Sequence, residues 1–340
     1  MSVDLIGYDD PLWSDALLSS VHDVYHTPGW IAASKHCDDG QPMAVYVESE
    51  GHKALFPFLR RELPDGLWDA TSAYGYGGPV FSRNHSPDWV TYALDLAIDK
   101  LKDQGCVSWF VRLHPILNAS WQSNHGVVVD HGPTVSVDLS KSAEQHWRET
   151  MSGHRGDINK ATKAGVTVQA GTSSSSLAAF VRIYHETMTA LGASGYYFFK
   201  DEYFQDLVDL LGEDLLLMMA MEGGEYIGGS MFTLSRSSQI MQYHLSGTAS
   251  AYRHRQPSKV ILHAAREWGR EHGFSRLHLG GGVGAQEDAL FKFKRGFSPD
   301  THLFQSHRIV VNSDQYARLC QERGTDQNDL SGFFPAYRQR

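Results

Sequence analysis

Hydrophobic and polar positions recur along this chain at two spacings, and the changes of spacing mark its elements. Leu12, Trp13, Leu17, Leu18 and Val21 fall at helical intervals, which predicts an amphipathic helix over residues 12–24. Pro28-Gly29, inside Tyr25–Trp30, breaks it, and a short helix continues through Lys35. Met43–Val47 and His52–Leu59 read as a hairpin turning at Glu48–Gly51. Tyr74–Pro79, YGYGGP, is a loop of glycines and aromatics. A helix over Val90–Leu101 ends at Asp103-Gln104-Gly105, and strands follow at Val107–Leu113 and Thr134–Leu139.

The pattern then starts again. Trp147–Lys163 reads as one basic helical stretch, ended by Gly165 and followed by a strand at Val166–Val168. Gly171–Ser176, GTSSSS, is a low-complexity loop that feeds a helix cap. Helices Leu177–Leu191 and Asp201–Leu211 precede a buried strand, Leu215–Met221, and a turn at Glu222–Glu225. Strands Tyr226–Leu234 and Gln239–Leu245 lead to a long helix, Ser258–His272, which starts behind Pro257. A short strand, Leu277–Leu279, runs into three glycines, and Ile309–Val311 with a polar tail closes the sequence. The repetition predicts two similar α/β units.

Length agrees with that division, because 340 residues exceed one ordinary core. Hydrophobic residues make up 41% and charged residues 20%, the balance of a soluble globular chain. No apolar run reaches the ~18–20 residues that span a bilayer. The opening MSVDLIGYDDPLW lacks the basic and apolar regions of a secretory signal. Cys37, Cys106 and Cys320 are too few and too scattered for a disulfide framework or a CxxC metal pair. The expected location is therefore cytoplasmic.

The net charge of −9 argues against a broad nucleic-acid surface. The charge is polarised, however. Arg253–Arg295 holds nine basic and four acidic residues, a local +5 that leaves −14 on the remainder. A local anionic partner such as a phosphate fits this segment, and a solvated helix face accounts for some of the same residues.

Candidate chemistry gathers in Arg276–Phe297, RLHLGGGVGAQEDALFKFKRGF. A strand end in an α/β sheet is where ligands usually bind. Gly280–Gly282 let the backbone approach a ligand closely. A lysine set among phenylalanines is partly desolvated, so its charge acts strongly on a nearby oxyanion. Lys294 is the candidate cation, with Phe293 beside it. Lys292 shares its face on a strand but not on a helix. Glu287 and Asp288 are candidate bases, against the commoner reading as surface carboxylates. Arg155, Lys160 and Lys163 offer phosphate contacts or a solvated face. No metal site is expected: His22 and His26 have i, i+4 spacing but no further ligands around them. The glycines lack the GK[ST] of a P-loop, and no GxSxG elbow occurs.

The order of elements, with YHTPGWIAASK, YGYGGP, RGDINKATKAGVTV, YHLSGTASAYRHRQPSKVILHAAREWGREHGFSRLHLGG and LFKFKRGF, resembles the Fem-type (FemABX-like) aminoacyltransferases of the GNAT superfamily. The likeness runs over roughly residues 15–310. It implies two tandem GNAT-like domains, each a mixed, mostly antiparallel sheet flanked by helices. The expected division is 1–145 and 146–312, with the tail 313–340 packing back on the first domain and the transfer site in the second. It also implies transfer of an aminoacyl group from aminoacyl-tRNA to an amine, on a peptidoglycan precursor or a small natural product. The partners would be the tRNA acceptor end and that amine. No bound cofactor is implied, aminoacyl-tRNA being the co-substrate.

The family's FKxxF lysine falls on Lys294. Its N-terminal phosphate-binding lysine falls on Lys35. An active-site tyrosine falls less securely on Tyr243. Arg253 and Arg255 lie near the start of the long helix as candidate substrate contacts, and Lys292 joins them. The alternative is an acyl-CoA-dependent N-acyltransferase using acetyl-CoA. Its Q/RxxGxG/A loop is not found in GTASAYRHRQPSK. A non-catalytic binding protein on the same fold is the third reading.

Overall fold

The computed structural model describes residues 1–339. In chain order, the elements begin with β1 (Ser2–Gly7), α1 (Pro11–Ser19), α2 (Pro28–Ala33), β2 (Gln41–Ser49), β3 (His52–Glu62), β4 (Trp68–Thr71), β5 (Val80–Phe81), α3 (Pro87–Asp103) and β6 (Cys106–Arg112). They continue with β7 (Val127–Asp138), α4 (Ala143–Glu149), α5 (Ser152–Lys163), β8 (Thr167–Ala170), α6 (Ser174–Leu191), α7 (Asp201–Leu211), β9 (Leu215–Glu222), β10 (Glu225–Ser235) and β11 (Ile240–Thr248). The last are α8 (Pro257–Glu271), β12 (Arg276–Gly280), α9 (Ala289–Arg295), β13 (Thr301–Val310) and α10 (Ser313–Arg323). Helix starts are set locally. The side chains of Thr27, Ser86, Ser142 and Ser173 each accept the free N–H three residues on. Pro28, Pro87 and Pro257 occupy first-turn positions where no N–H is required.

The chain divides into two compact units, residues 1–131 with 303–340 and residues 132–302. Each is a mixed, mostly antiparallel sheet flanked by helices. The first unit has strand order β1-β2-β3-β4-β6-β13, with β5 against β3. Among its described residues only β4 and β6 pair in parallel. Trp89, Ala93, Leu94, Ala97 and Leu101 of α3 pack one core, and Trp13 and Leu17 of α1 pack another. Val107 of β6 packs with Tyr316 and Leu319 of α10 and with Phe334 and Tyr337 of the tail.

The second unit has order β8-β9-β10-β11-β12-β7, with β11 and β12 the one parallel pair. Helix α8 makes the crossover that a parallel pair requires. Its Ile261, Leu262 and Ala265 join Met241, Leu277, Leu279, Val135 and Val137 in one core. Adjacent glycines show the layers. A side chain on Gly228 would strike Pro257 of α8, and one on Gly229 would strike Phe180 of α6, so these two helices cover opposite faces.

Most expected elements are present, several with longer bounds. The division differs in register from 1–145 and 146–312. Residues 132–145 belong with the second unit, where Val135, Val137 and Leu139 are core. Residues 303–312 belong with the first, where Ile309 and Val311 are core. The expected single helix over 147–163 is two, broken at Thr150-Met151. Pro28-Gly29 open α2 rather than interrupt structure. The polar tail contains α10, capped by Asn312 and ended by Gly324 at φ 74°. Strands β1, β4 and β5 were not anticipated. No described helix is long and apolar enough to cross a membrane.

Candidate active site

Helix α9 starts from the loop that follows β12. Asp288 is its N-cap: Oδ1 accepts from the Phe291 N–H at 2.9 Å, and Oδ2 accepts from the Val283 N–H at 3.1 Å. One carboxylate therefore joins the helix to the glycine loop. At the other end, a ring nitrogen of His154 on α5 lies 2.9 Å from the Phe293 carbonyl oxygen.

This short helix carries Lys294 into the unit. The lysine is only 7% exposed, and its Nζ donates to the Gly281 carbonyl at 2.6 Å. Among the described residues that carbonyl is its one hydrogen-bond acceptor, so two of its three N–H donors are uncommitted. Nζ also lies 5.9 Å from the centroid of the Tyr243 ring. Burial pulls the ammonium pKa down to about 8, against the opposing attraction of Asp288.

The sheet sets where this group lies. Strands β11 and β12 pair only from Ile240/Arg276 to Gln242/His278. Beyond that point β11 stays with β10, and β12 stays with β7, so the parallel pair ends. His278 marks the last pair. It is buried, with its ring nitrogens 2.7 Å from Gln242 Oε1 and 2.8 Å from Thr134 Oγ1. Tyr243 is the next residue along β11. A bulge at His244 interrupts the β10 register there, and the His244 ring meets the Tyr203 hydroxyl at 2.9 Å. The Tyr243 hydroxyl meets Ser246 and Ser230, whose own hydroxyls are 3.0 Å apart. Burial raises the phenol pKa despite both serines, so it stays neutral.

The residues expected from sequence separate into groups. Lys294 and Tyr243 come together at the end of the parallel pair. Phe293 does not flank the ammonium: on a helix it points elsewhere, its ring 5.5 Å from His154 and 5.7 Å from Phe297. The aromatic neighbour of Lys294 is Tyr243, from a distant strand. Lys292 is exposed, and α9 being a helix, it does not share the Lys294 face. Arg253 is exposed on a 3-10 turn before α8, whereas Arg255 pairs with Glu222 at 2.8 Å. Lys35 is exposed on a 3-10 turn of the first unit.

Two further candidates are occupied with backbone groups. Asp288 is no base. Burial acts to raise its pKa, but the N–H groups of Phe291, Val283 and Leu290 and the Lys294 charge outweigh it and hold the carboxyl below the usual range. Arg155 is occupied with the carbonyls that end α4, donating to Trp147 and Arg148 at 3.2 Å and Thr150 at 2.5 Å. Lys160 and Lys163 remain exposed. Ser230, Ser246 and His154 were missed, because facing pairs depend on strand register and helix packing. Among the described residues, no group of three His, Cys, Asp or Glu could hold a metal ion.

Residues 148–295 match the family model of the acetyltransferase (GNAT) domain. No curated protein matches the chain. Among solved structures, FemX is similar over 94% of this chain and 99% of its own, with 13% identity and a TM-score of 0.67. L-PGS from Bacillus licheniformis is similar over 83% and 87%, with 14% identity and a TM-score of 0.54. The C-terminal domain of a protein assigned as a lysylphosphatidylglycerol synthetase, from Agrobacterium fabrum, is similar over 92% and 94%, with 11% identity and a TM-score of 0.53. The chain thus has the Fem-type fold of two tandem GNAT-like units. The family match runs from α4 to α9, through the unit that holds Lys294.

Proposed function

We propose that this chain, with the FemX fold and a GNAT acyltransferase domain around Lys294, is an aminoacyltransferase. It takes an aminoacyl group from the ester of an aminoacyl-tRNA and places it on an amine. The amine nitrogen attacks the ester carbonyl, a tetrahedral oxyanion forms, and the C–O bond to the tRNA ribose breaks. An amide and free tRNA result, and the amine proton ends on the departing hydroxyl or in solvent. The acceptor is a peptidoglycan precursor or a small natural product, met in the cytoplasm.

One observation carries this reading: a buried ammonium with two uncommitted donors at the end of a parallel strand pair. A cation held there before the reaction stabilises the oxyanion without reorganisation, an effect typically worth ~3 kcal/mol per donor. The Tyr243 ring beside it keeps the site apolar and adds a face for the cation. In this reading exposed Arg253 and Lys292 meet RNA phosphates, and exposed Lys35 in the first unit meets the acceptor's phosphate or carboxylate. Phe293 anchors α9 through its contacts with His154 and Phe297.

The acyl-CoA alternative needs backbone N–H groups at the start of α8 to hold a pyrophosphate. That helix instead begins with Pro257, which has no N–H, behind Gln256 in the left-handed conformation. The proline removes one of those N–H groups, which weighs against that donor. Incubation with charged tRNA or acetyl-CoA and a panel of amines, followed by mass spectrometry, tests the choice. Amide formation is expected from the charged tRNA and not from acetyl-CoA. The reverse outcome replaces this reading with the alternative.

A further inference from the structure

We infer that Asp288 is the positioning residue for Lys294, holding the loop that the ammonium grips and keeping that ammonium charged. The inference rests on the proposed role of Lys294 and assigns what makes that role possible.

The geometry is a closed circuit. Lys294 reaches back thirteen residues to the Gly281 carbonyl, and Asp288 reaches back five to the Val283 N–H. Both clamps act on the same short loop, on either side of Gly282. The second oxygen of Asp288 fixes the first turn of α9, the helix that carries Lys294. Gly282 shows how tightly the carboxylate seats: a side chain there would collide with the Gln286 carbonyl and with Asp288 Oδ1, although the backbone at φ −79° would accept one. The glycine therefore serves close approach, and what approaches it are the Gln286 carbonyl and this carboxylate.

The electrostatics run through the same residue. Asp288 is the one charge that acts on Lys294 against its burial. The titratable groups on the other elements around α9 give no such support. Tyr243 on β11 is held neutral by burial. Burial also lowers the pKa of His154 on α5. Lys259 on α8 is paired with Asp157 of α5 at 2.6 Å. On α9 itself, Lys292 is exposed and Arg295 donates to the Ser298 carbonyl at 2.8 Å. A neutral cap at position 288 would hold the helix start but leave the ammonium without its counter-charge.

Asp288→Asn removes the charge and keeps the helix cap, since asparagine caps helices as well as aspartate does, while its amide nitrogen cannot accept from the Val283 N–H. Asp288→Ser is a second neutral cap, available if the asparagine variant folds poorly. The probe is the Lys294 side-chain NMR signal in protein carrying 13C at lysine Cε, assigned by its loss in Lys294→Ala. In the unsubstituted protein it should titrate near pH 8. In either neutral variant its midpoint should fall by roughly one unit or more. The alkaline limb of aminoacyl transfer should shift down with it. A Lys294 midpoint that is unchanged or higher in both variants overturns the inference. The titration needs no substrate. If Lys294→Ala transfers at full rate, the proposed function falls on its own, and the midpoint still decides the part played by Asp288.

Discussion

The two units share one strand plan and treat its one parallel pair in opposite ways. In the first unit β4 and β6 pair from Trp68/Cys106 to Thr71/Phe110, and the zipper then continues: the Ser72 N–H donates to the Phe110 carbonyl, and Ser72 Oγ accepts from the Arg112 N–H, both at 2.9 Å. The loop beyond is filled. A side chain on Gly75 would run into the Tyr25 ring, and Tyr25, Tyr76 and His114 pack around one another. In the second unit the pairing stops at Gln242/His278, and a buried lysine follows. The buried charges differ in kind as well. Asp69 of β4 is wholly buried and fully answered, by Arg61 at 2.7 Å, Arg338 at 2.5 Å and the Tyr337 hydroxyl at 3.0 Å. Lys294 has one neutral carbonyl and a carboxylate that is busy with backbone N–H groups. A satisfied buried charge holds structure together, whereas an unsatisfied one is a cost that folding alone does not justify.

Replacing each charge should separate these two cases. Lys294→Met removes a buried cation and keeps a similar chain length. Transfer should fall by about 10²–10³-fold, the usual loss for one oxyanion donor. The melting temperature should hold or rise, because a desolvated charge has been removed. Single-turnover assays beside thermal melts measure both, and a variant that keeps its rate while losing stability would make Lys294 a structural residue. Asp69→Ala should do the opposite. It leaves two arginines without their carboxylate and should cost about 3 kcal/mol of stability, read from urea unfolding. The rate per folded molecule should not change.

Titration sharpens the contrast and gives the next largest effect. The Lys294 pKa falls from its ordinary 10.5 to about 8 on folding. Between those values the unfolded chain binds the extra proton, so this group's contribution to stability increases as pH rises from about 8 to 10.5. Below pH 8 its burial penalty applies in full. Transfer needs the ammonium and should decline above about pH 8, approaching tenfold per unit, once corrected for spontaneous ester hydrolysis. Stability and activity should therefore diverge with rising pH, relative to Lys294→Met. A flat alkaline limb in single turnover would remove the ammonium from the chemistry.

These contrasts also show what a sequence can carry. The periodicities located most of the strands and helices of both units because each core face is written locally, as in Leu215–Met221 or Ser258–His272. Lys294 stood out because LFKFKRGF resembles a Fem-type motif and follows three glycines, and the structure buries it. Its surroundings were not legible. Tyr243 faces it through the end of a strand pairing and a bulge at His244, neither of which leaves a signature in one strand alone. Ser230 and Ser246 meet only because their strands are in that register. The sequence order Phe-Lys-Phe-Lys invited a clamp of two phenyl rings, and the helix turned those rings elsewhere. Strand β13 joins the first unit although it follows the second in sequence, so the boundary expected at 312 had no local mark.

Lys292 gives the smallest expected effect and the cleanest test of the local geometry. A strand through Phe291–Arg295 would aim Lys292 and Lys294 at one substrate atom, and the two would then be partly redundant. The helix places Lys292 in solvent, so its charge is screened and acts at most on a phosphate some distance from the reacting carbonyl. Lys292→Ala should change the rate at saturating donor by less than about twofold, because no transition-state contact is lost. Its effect should lie in the KM for charged tRNA, and the salt dependence of that KM should become shallower by about one contact, measured between 50 and 200 mM salt. A loss of maximal rate approaching that of Lys294→Met would mean that both lysines reach the oxyanion, and that the contrast between a buried chemical cation and an exposed binding one is misplaced.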